Sequence, residues 1–296
     1  MAALNDVQNA QIYASGEPEP PTPMEEPEAV LCEFCGKPRR YKKFMVGDLP
    51  IYAPPEPCDC PEGKAASERE CEKAAARRAA EEQAKREERH RELVTYIQRE
   101  SGMSARFLQR TFETFIVDDK NRAAYNAAKS FADNFENGLP KAGEPPKGKN
   151  GLFIVGPPGT GKTHLAAAAA NSVMQSGKAV VFGTMIDLLG NIKEMFKYPC
   201  GETALLQKYK SVPLLVIDDM GKEPPTEWAV STIYNIINGR YEAFLPTIVT
   251  TNYASAEFIA RLTPKETKDD TTAQATIDRL REMCRGLALS GESRRG

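Results

Sequence analysis

Beyond residue 150 the chain alternates short apolar runs with longer stretches in which apolar residues recur every three or four positions. Strands are predicted at Leu152–Val155, Ala179–Phe182, Leu214–Ile217, Thr247–Thr251 and Leu287–Leu289, with helical periodicity between them. Short apolar strands separated by helices imply an α/β domain whose parallel sheet is covered on both faces. No internal repeat is visible.

The first half of the chain has a different texture. Residues 1–30 include SGEPEPPTPMEEPEA, too rich in proline and glutamate to offset the entropy of ordering, and are expected to form a disordered tail. A small cysteine module spans 31–62. A helical linker is expected over 63–104, where Ala, Glu, Lys and Arg dominate, opposite charges lie three and four apart, and Pro61 and Gly63 stand at the start. Its apolar content is mostly alanine before Leu93, Val94, Tyr96 and Ile97, so most of it should stay solvated. In RFLQRTFETFIVDDKNRAAYNAAKSFADNF, Asp118 and Asp119 mark a turn before another helix, and 137–150 is a loop leading into the first core strand.

Composition narrows the function classes. With 39 Lys+Arg against 41 Asp+Glu the formal charge is -2, so DNA contact would need a local patch. No window approaches the roughly 18 apolar residues of a membrane helix, and the first residues show neither a basic start nor an apolar signal core, so a cytoplasmic protein without a membrane partner is expected. Five of the seven cysteines precede residue 72, which in a reducing compartment suggests metal rather than disulfides.

The segment GPPGTGKT carries the clearest chemistry. Gly156, Pro157, Pro158, Gly159, Thr160 and Gly161 form a phosphate loop after a strand and before a helix, with Lys162 placed for the β- and γ-phosphates of ATP and Thr163 for Mg²⁺. LLVIDDMG adds a hydrophobic strand ending in acids: Asp218 for the Mg²⁺ shell, Asp219 to orient or deprotonate the attacking water. PTIVTTN brings Thr251 and Asn252 to the carboxyl end of a third strand, where they would face that water.

Over roughly residues 105–296 the chain resembles the AAA+ ATPases of the DnaC, DnaI and IstB type, through NGLFIVGPPGTGKTHLAAAAAN, LLVIDDMGKEPPTEWAVSTIYNIINGRYE, PTIVTTN and IDRLREMCRGLALSGESRR. INGRYE and GESRR go beyond any generic phosphate-loop protein. The resemblance implies a parallel sheet of order 5-1-4-3-2 without a C-terminal lid. It implies that Arg279 is an arginine finger reaching a neighbouring subunit's γ-phosphate, and that Arg295 is a second sensor of nucleotide. A homo-oligomer in the ATP state follows. Asp219 departs from the glutamate usual at its place, which implies a shorter reach to water and slow hydrolysis.

Cys32 and Cys35 in CEFCGKP, and Cys58 and Cys60 in PCDCP, form two close thiol pairs with 22 residues between them. A structural Cys₄ Zn²⁺ site is expected, with Cys71 or His90 as an alternative ligand because the second pair is tighter than Cys-x-x-Cys. DnaI-type loaders carry a zinc-binding N-terminal domain that holds the helicase, so the resemblance implies an ATP-dependent loader of a replicative helicase, with single-stranded DNA as a further partner. Its rivals are an IstB-like ATPase helper of a transposase acting on duplex DNA, and a nucleotide-binding adaptor with negligible turnover.

Overall fold

The computed structural model describes residues 27–46, 49–141 and 145–294. The chain divides into two compact units, one ending at Lys85 and the other starting at Arg86. Most of the tail expected over 1–30, and Arg295, lie outside the described residues, although Val30 already belongs to a strand.

In the first unit β1 (Val30–Leu31) pairs antiparallel with β2 (Pro38–Arg39), and β3 (Lys42–Val46) with β4 (Leu49–Ala53). The Arg39 guanidinium donates to the carbonyls of Glu56 at 2.7 Å and Pro55 at 2.9 Å, tying the first turn to the segment that carries the second cysteine pair. The long helix α1 runs from Pro61 to Glu100, through the boundary between the units. Val94 and Ile97 near its end are buried, while nearly all residues before them are exposed, as expected of an alanine-rich, charged helix.

The second unit holds a five-stranded parallel sheet of β5 (Gly151–Val155), β6 (Val180–Thr184), β7 (Leu214–Asp218), β8 (Thr247–Thr251) and β9 (Cys284–Ala288). In space they run β6-β7-β8-β5-β9, the expected 5-1-4-3-2 order read from the other edge. The last strand begins three residues earlier than its apolar run suggests. It is an edge strand, so Arg285 and Gly286 stay exposed while Cys284 and Leu287 are buried, and the polar pair hid its start.

The helices of this unit are α2 (Ala105–Leu108), α3 (Arg122–Asp133), α4 (Lys162–Gln175), α5 (Met185–Met195), α6 (Gly201–Ser211), α7 (Glu227–Glu242), α8 (Ser255–Leu262) and α9 (Thr271–Met283). Both sheet faces are covered. Leu214 and Val216 join one apolar cluster with α3 and α4, whereas Leu215 and Ile217 join a second with α5, α7, α8 and α9. Successive strand side chains point to opposite faces, which is why a strand buried on both sides reads as an unbroken apolar run. Parallel strands leave their carboxyl ends on one edge, where the phosphate loop follows β5, Asp218 closes β7 and Asn252 follows β8.

Candidate functional site

Between β5 and α4 the chain makes a tight turn, with Gly159 at φ 83° and Gly161 at φ 96°. Only glycine takes such angles cheaply. The Lys162 side chain is 5 % exposed, and its Nζ donates to the Pro157 carbonyl at 2.8 Å; the Thr160 hydroxyl donates to the same oxygen at 2.8 Å. The loop is thus closed around its own lysine, at the N-terminus of a 14-residue helix where backbone N–H groups and the helix dipole favour anions.

Thr163 opens toward β7, and its hydroxyl donates to Asp218 Oδ2 at 3.1 Å. Asp218 is 2 % exposed, and burial pushes its carboxyl upward, opposed by the hydroxyl of Thr250. Thr250 was not singled out by its sequence context, yet it joins the two acids. Its hydroxyl donates to Asp218 Oδ1 at 2.6 Å and accepts the backbone N–H of Asp219 at 2.9 Å. Asp219 itself sits at φ 53°, and its carboxylate accepts from Lys222 Nζ at 2.7 Å. A buried carboxylate beside a threonine hydroxyl is a fitting donor set for a Mg²⁺ shell, and the cation would relieve the burial penalty.

Thr251 and Asn252 part company. The Thr251 hydroxyl donates to the Met220 carbonyl at 2.8 Å and is buried, so it braces the loop after β7 instead of facing water. Asn252 is half-buried directly after it, and the Gly156 N–H donates to the Thr251 carbonyl at 3.4 Å, which brings Asn252 beside the start of the phosphate loop.

A strap over residues 107–118 packs along α4, the helix that follows the phosphate loop. His164 Nε2 lies 3.1 Å from both the Thr111 carbonyl and the Thr114 hydroxyl, Asn171 donates to the Phe107 and Arg110 carbonyls at 2.9 and 2.8 Å, and the Phe115 ring packs edge-on to His164. The helix that begins at the phosphate loop therefore grips the strap along its length, and Ile116 is left 72 % exposed beside it. The sequence signal was the aromatic spacing of Phe107, Phe112 and Phe115, which reads equally well as ordinary helix packing.

The resemblance assigns Arg295 to nucleotide sensing and Arg279 to a neighbouring subunit's γ-phosphate. Arg295 lies outside the described residues, but its neighbour Arg294 donates from its backbone N–H to the Gly159 carbonyl at 3.0 Å, and from its guanidinium to Asp118 and the Ile116 carbonyl. Arg279 lies elsewhere. It stands five residues before Cys284, which pairs with Gly151 at the amino end of β5. A five-residue strand, about 16 Å long, separates that end from the chain's own phosphate loop.

In the first unit the sulfurs of Cys32, Cys35, Cys58 and Cys60 all lie within 4.8 Å of one another, with Cys32 to Cys60 at 3.8 Å and Cys35 to Cys58 at 3.3 Å. Tetrahedral Zn–S bonds of about 2.3 Å place sulfurs about 3.8 Å apart, so the set fits zinc. The backbone N–H groups of Cys35 and Phe34 bring the Cys32 thiol down to about 6, while burial first of all pushes Cys60 up to about 12. Among the described residues Cys71 is not in this group, and His90 Nε2 instead lies 2.9 Å from the Gln175 carbonyl, so neither alternative ligand replaces a cysteine here.

No helix among the described residues is long and apolar enough to cross a membrane. The model of the IstB-like ATP binding protein family matches residues 146–296. The replicative helicase loader DnaC of Buchnera aphidicola subsp. Schizaphis graminum is 30% identical over 143 residues, covering 47% of this chain and 54% of that one. The chain thus spans about half the length of the curated relatives it matches. The crystal structure of DnaI aligns with TM-score 0.53 at 25% identity, over 66% of this chain and 95% of that one, and that of the DnaC helicase loader with TM-score 0.52 at 26% identity, over 63% and 100%. The family model covers half of the chain, including the phosphate loop and the strand that ends in Asp218, and the chain therefore belongs to the IstB-like ATP-binding family and is an AAA+ ATPase of the DnaC, DnaI and IstB type.

Proposed function

We propose that this chain is an ATP-dependent loader of a replicative helicase onto DNA. The observation that carries the reading is the likeness of the ATPase core to chains named replicative helicase loader DnaC. In this reading Lys162 leaves the Pro157 carbonyl for the β- and γ-phosphates, and Thr163 and Asp218 hold Mg²⁺, which neutralises charge on the phosphates. Asp219 and Asn252 orient the attacking water, with Asp219 first released from Lys222. Phe115 and Ile116 of the strap offer apolar cover beside the loop, and Arg295 acts on the nucleotide from the terminal segment.

Arg279 serves a neighbouring subunit. Arg279 lies in the last turns of α9, which lead into β9 at the amino end of the sheet, and this supports a role in trans; a fixed guanidinium suits the negative charge of the transition state. ATP then favours a homo-oligomer that engages single-stranded DNA, while the four-cysteine unit, held by Zn²⁺, grips the helicase. Exposed Phe44, Val46, Leu49 and Ile51 on the β3–β4 hairpin suit such a contact.

The family model's IstB-like description favours a second reading, an ATPase helper of a transposase acting on duplex DNA. Pull-down separates the two. The loader should capture purified replicative helicase and deposit it on single-stranded DNA in an ATP-dependent way; capture of a transposase with no helicase retention would replace the first reading by the second.

A further inference from the structure

The segment INGRYE, residues 237–242, closes α7 and supplies Asn238 and Tyr241 to the surroundings of Arg279. Arg279 Nε donates to Asn238 Oδ1 at 2.5 Å, and its Nη1 donates to the Ala275 carbonyl at 3.1 Å. Two rings of α7 flank the guanidinium, with centroids 4.9 Å away for Tyr234 and 5.6 Å for Tyr241. The Asn238 amide cannot turn over: its Nδ2 donates to Glu242 Oε1 at 2.7 Å, so a flip would set donor against donor at Arg279. The Tyr241 phenol is likewise engaged, and its hydrogen bond with the Glu282 carboxylate raises its pKa.

Arg240 and Gly239 of the same segment fix the end of α7 against its neighbours. Arg240 is 0% exposed and donates to Thr247 Oγ1 at 2.9 Å, to the Tyr209 and Val212 carbonyls at 2.9 Å each, and to the Pro246 carbonyl at 2.5 Å. It thereby joins the last turn of α7 to the end of α6 and the start of β8. A side chain at Gly239 would place its Cβ 2.9 Å from Lys210 Cδ, so glycine there leaves room for the lysine stem to cross.

We infer that Asn238, Tyr234 and Tyr241 are positioning residues for Arg279, holding it in one rotamer as a preformed cation for the nucleotide of a second copy of this chain. The inference rests on the trans role of Arg279 proposed above. A free arginine would have to surrender its rotamer entropy in the transition state; one already flanked and hydrogen-bonded does so on folding. The two bonds to Asn238 and Ala275 leave the other N–H groups of the guanidinium for phosphoryl oxygens.

The test uses the full chain with Mg-ATP, reading nucleotide affinity, kcat and thermal midpoint. Asn238→Ala and Tyr234→Leu should each lower kcat about tenfold or more while changing ATP affinity less than about twofold. Tyr234→Phe, which keeps the ring face, should restore turnover, and Asn238→Ala should cost nothing further in an Arg279→Ala background. Full kcat in Asn238→Ala and Tyr234→Leu, with Arg279→Ala impaired, would overturn the positioning role and leave the finger standing. Full kcat in Arg279→Ala would instead remove the finger itself. Should Asn238→Ala fail to fold, the Tyr234 Leu and Phe pair decides alone.

Discussion

The backbone N–H of Arg294 donates to the carbonyl of Gly159 at 3.0 Å, so the terminal segment is bonded directly to the phosphate loop. A Cβ at Gly159 would fall 2.2 Å from Ser293 Oγ, and its φ of 83° already disfavours any other residue. Gly159→Ala should therefore push the two segments apart. With a left-handed penalty of about 1–2 kcal/mol, ATP affinity should drop about tenfold or more in a titration with a fluorescent analogue, while the fold persists. Unchanged affinity would show that the terminal segment is not part of the nucleotide site.

Thr250 offers a sharper probe of the acid pair, because one hydroxyl serves both Asp218 and the Asp219 backbone. Thr250→Val keeps the shape and removes both bonds. Leaving buried polar groups unpaired costs about 1–3 kcal/mol, so the thermal midpoint should fall and Mg²⁺-dependent turnover should drop about tenfold or more. Turnover equal to that of the parent chain would mean that Asp219 does not depend on this brace.

Purified protein should hold about one zinc per chain, lost on Cys58→Ser and kept on Cys71→Ser, since only the former belongs to the sulfur cluster. Chelation should melt the four-cysteine unit and leave ATP turnover by the second unit intact. Full zinc in Cys58→Ser, by metal analysis, would require another ligand set.

Burial lowers the pKa of His164, so the unfolded chain takes up a proton at higher pH than the native one. Its contribution to stability is complete above the unfolded value of about 6.5 and is lost as pH falls from there through the lowered folded value. His164→Gln should shrink the difference in thermal midpoint between about pH 7.5 and pH 5.5 by on the order of 1 °C or more. An undiminished difference would assign the acid sensitivity to other groups.

Much of this architecture was legible because local and global signals agree. Leu214–Asp218 is apolar throughout since both faces of the strand are buried, and the phosphate loop announces itself by glycines whose backbone angles need them. Legibility failed where chemistry depends on what a side chain meets in space. Thr250 and Thr251 are adjacent and identical, yet alternation across β8 sends one hydroxyl to Asp218 and the other to the Met220 carbonyl. The strap around Phe115 is also hidden, since its partners His164 and Asn171 lie some fifty residues or more along the chain. Among the described residues Arg240 has no acidic partner and is met by carbonyls and a hydroxyl, which nothing in its sequence neighbours foretells.

The central claim is an ATPase assembled between subunits, and mixing two inactive variants tests it most directly. Lys162→Ala should lose nucleotide binding, and Arg279→Ala should bind ATP yet hydrolyse it poorly. In a mixed interface the Arg279→Ala chain holds ATP while the Lys162→Ala chain provides the arginine. Arginine fingers are worth on the order of 10³ or more in rate, so turnover should reappear and peak at intermediate mixing ratios in the presence of DNA and helicase. Zero turnover at every ratio, in mixtures shown to co-assemble, would contradict a finger in trans.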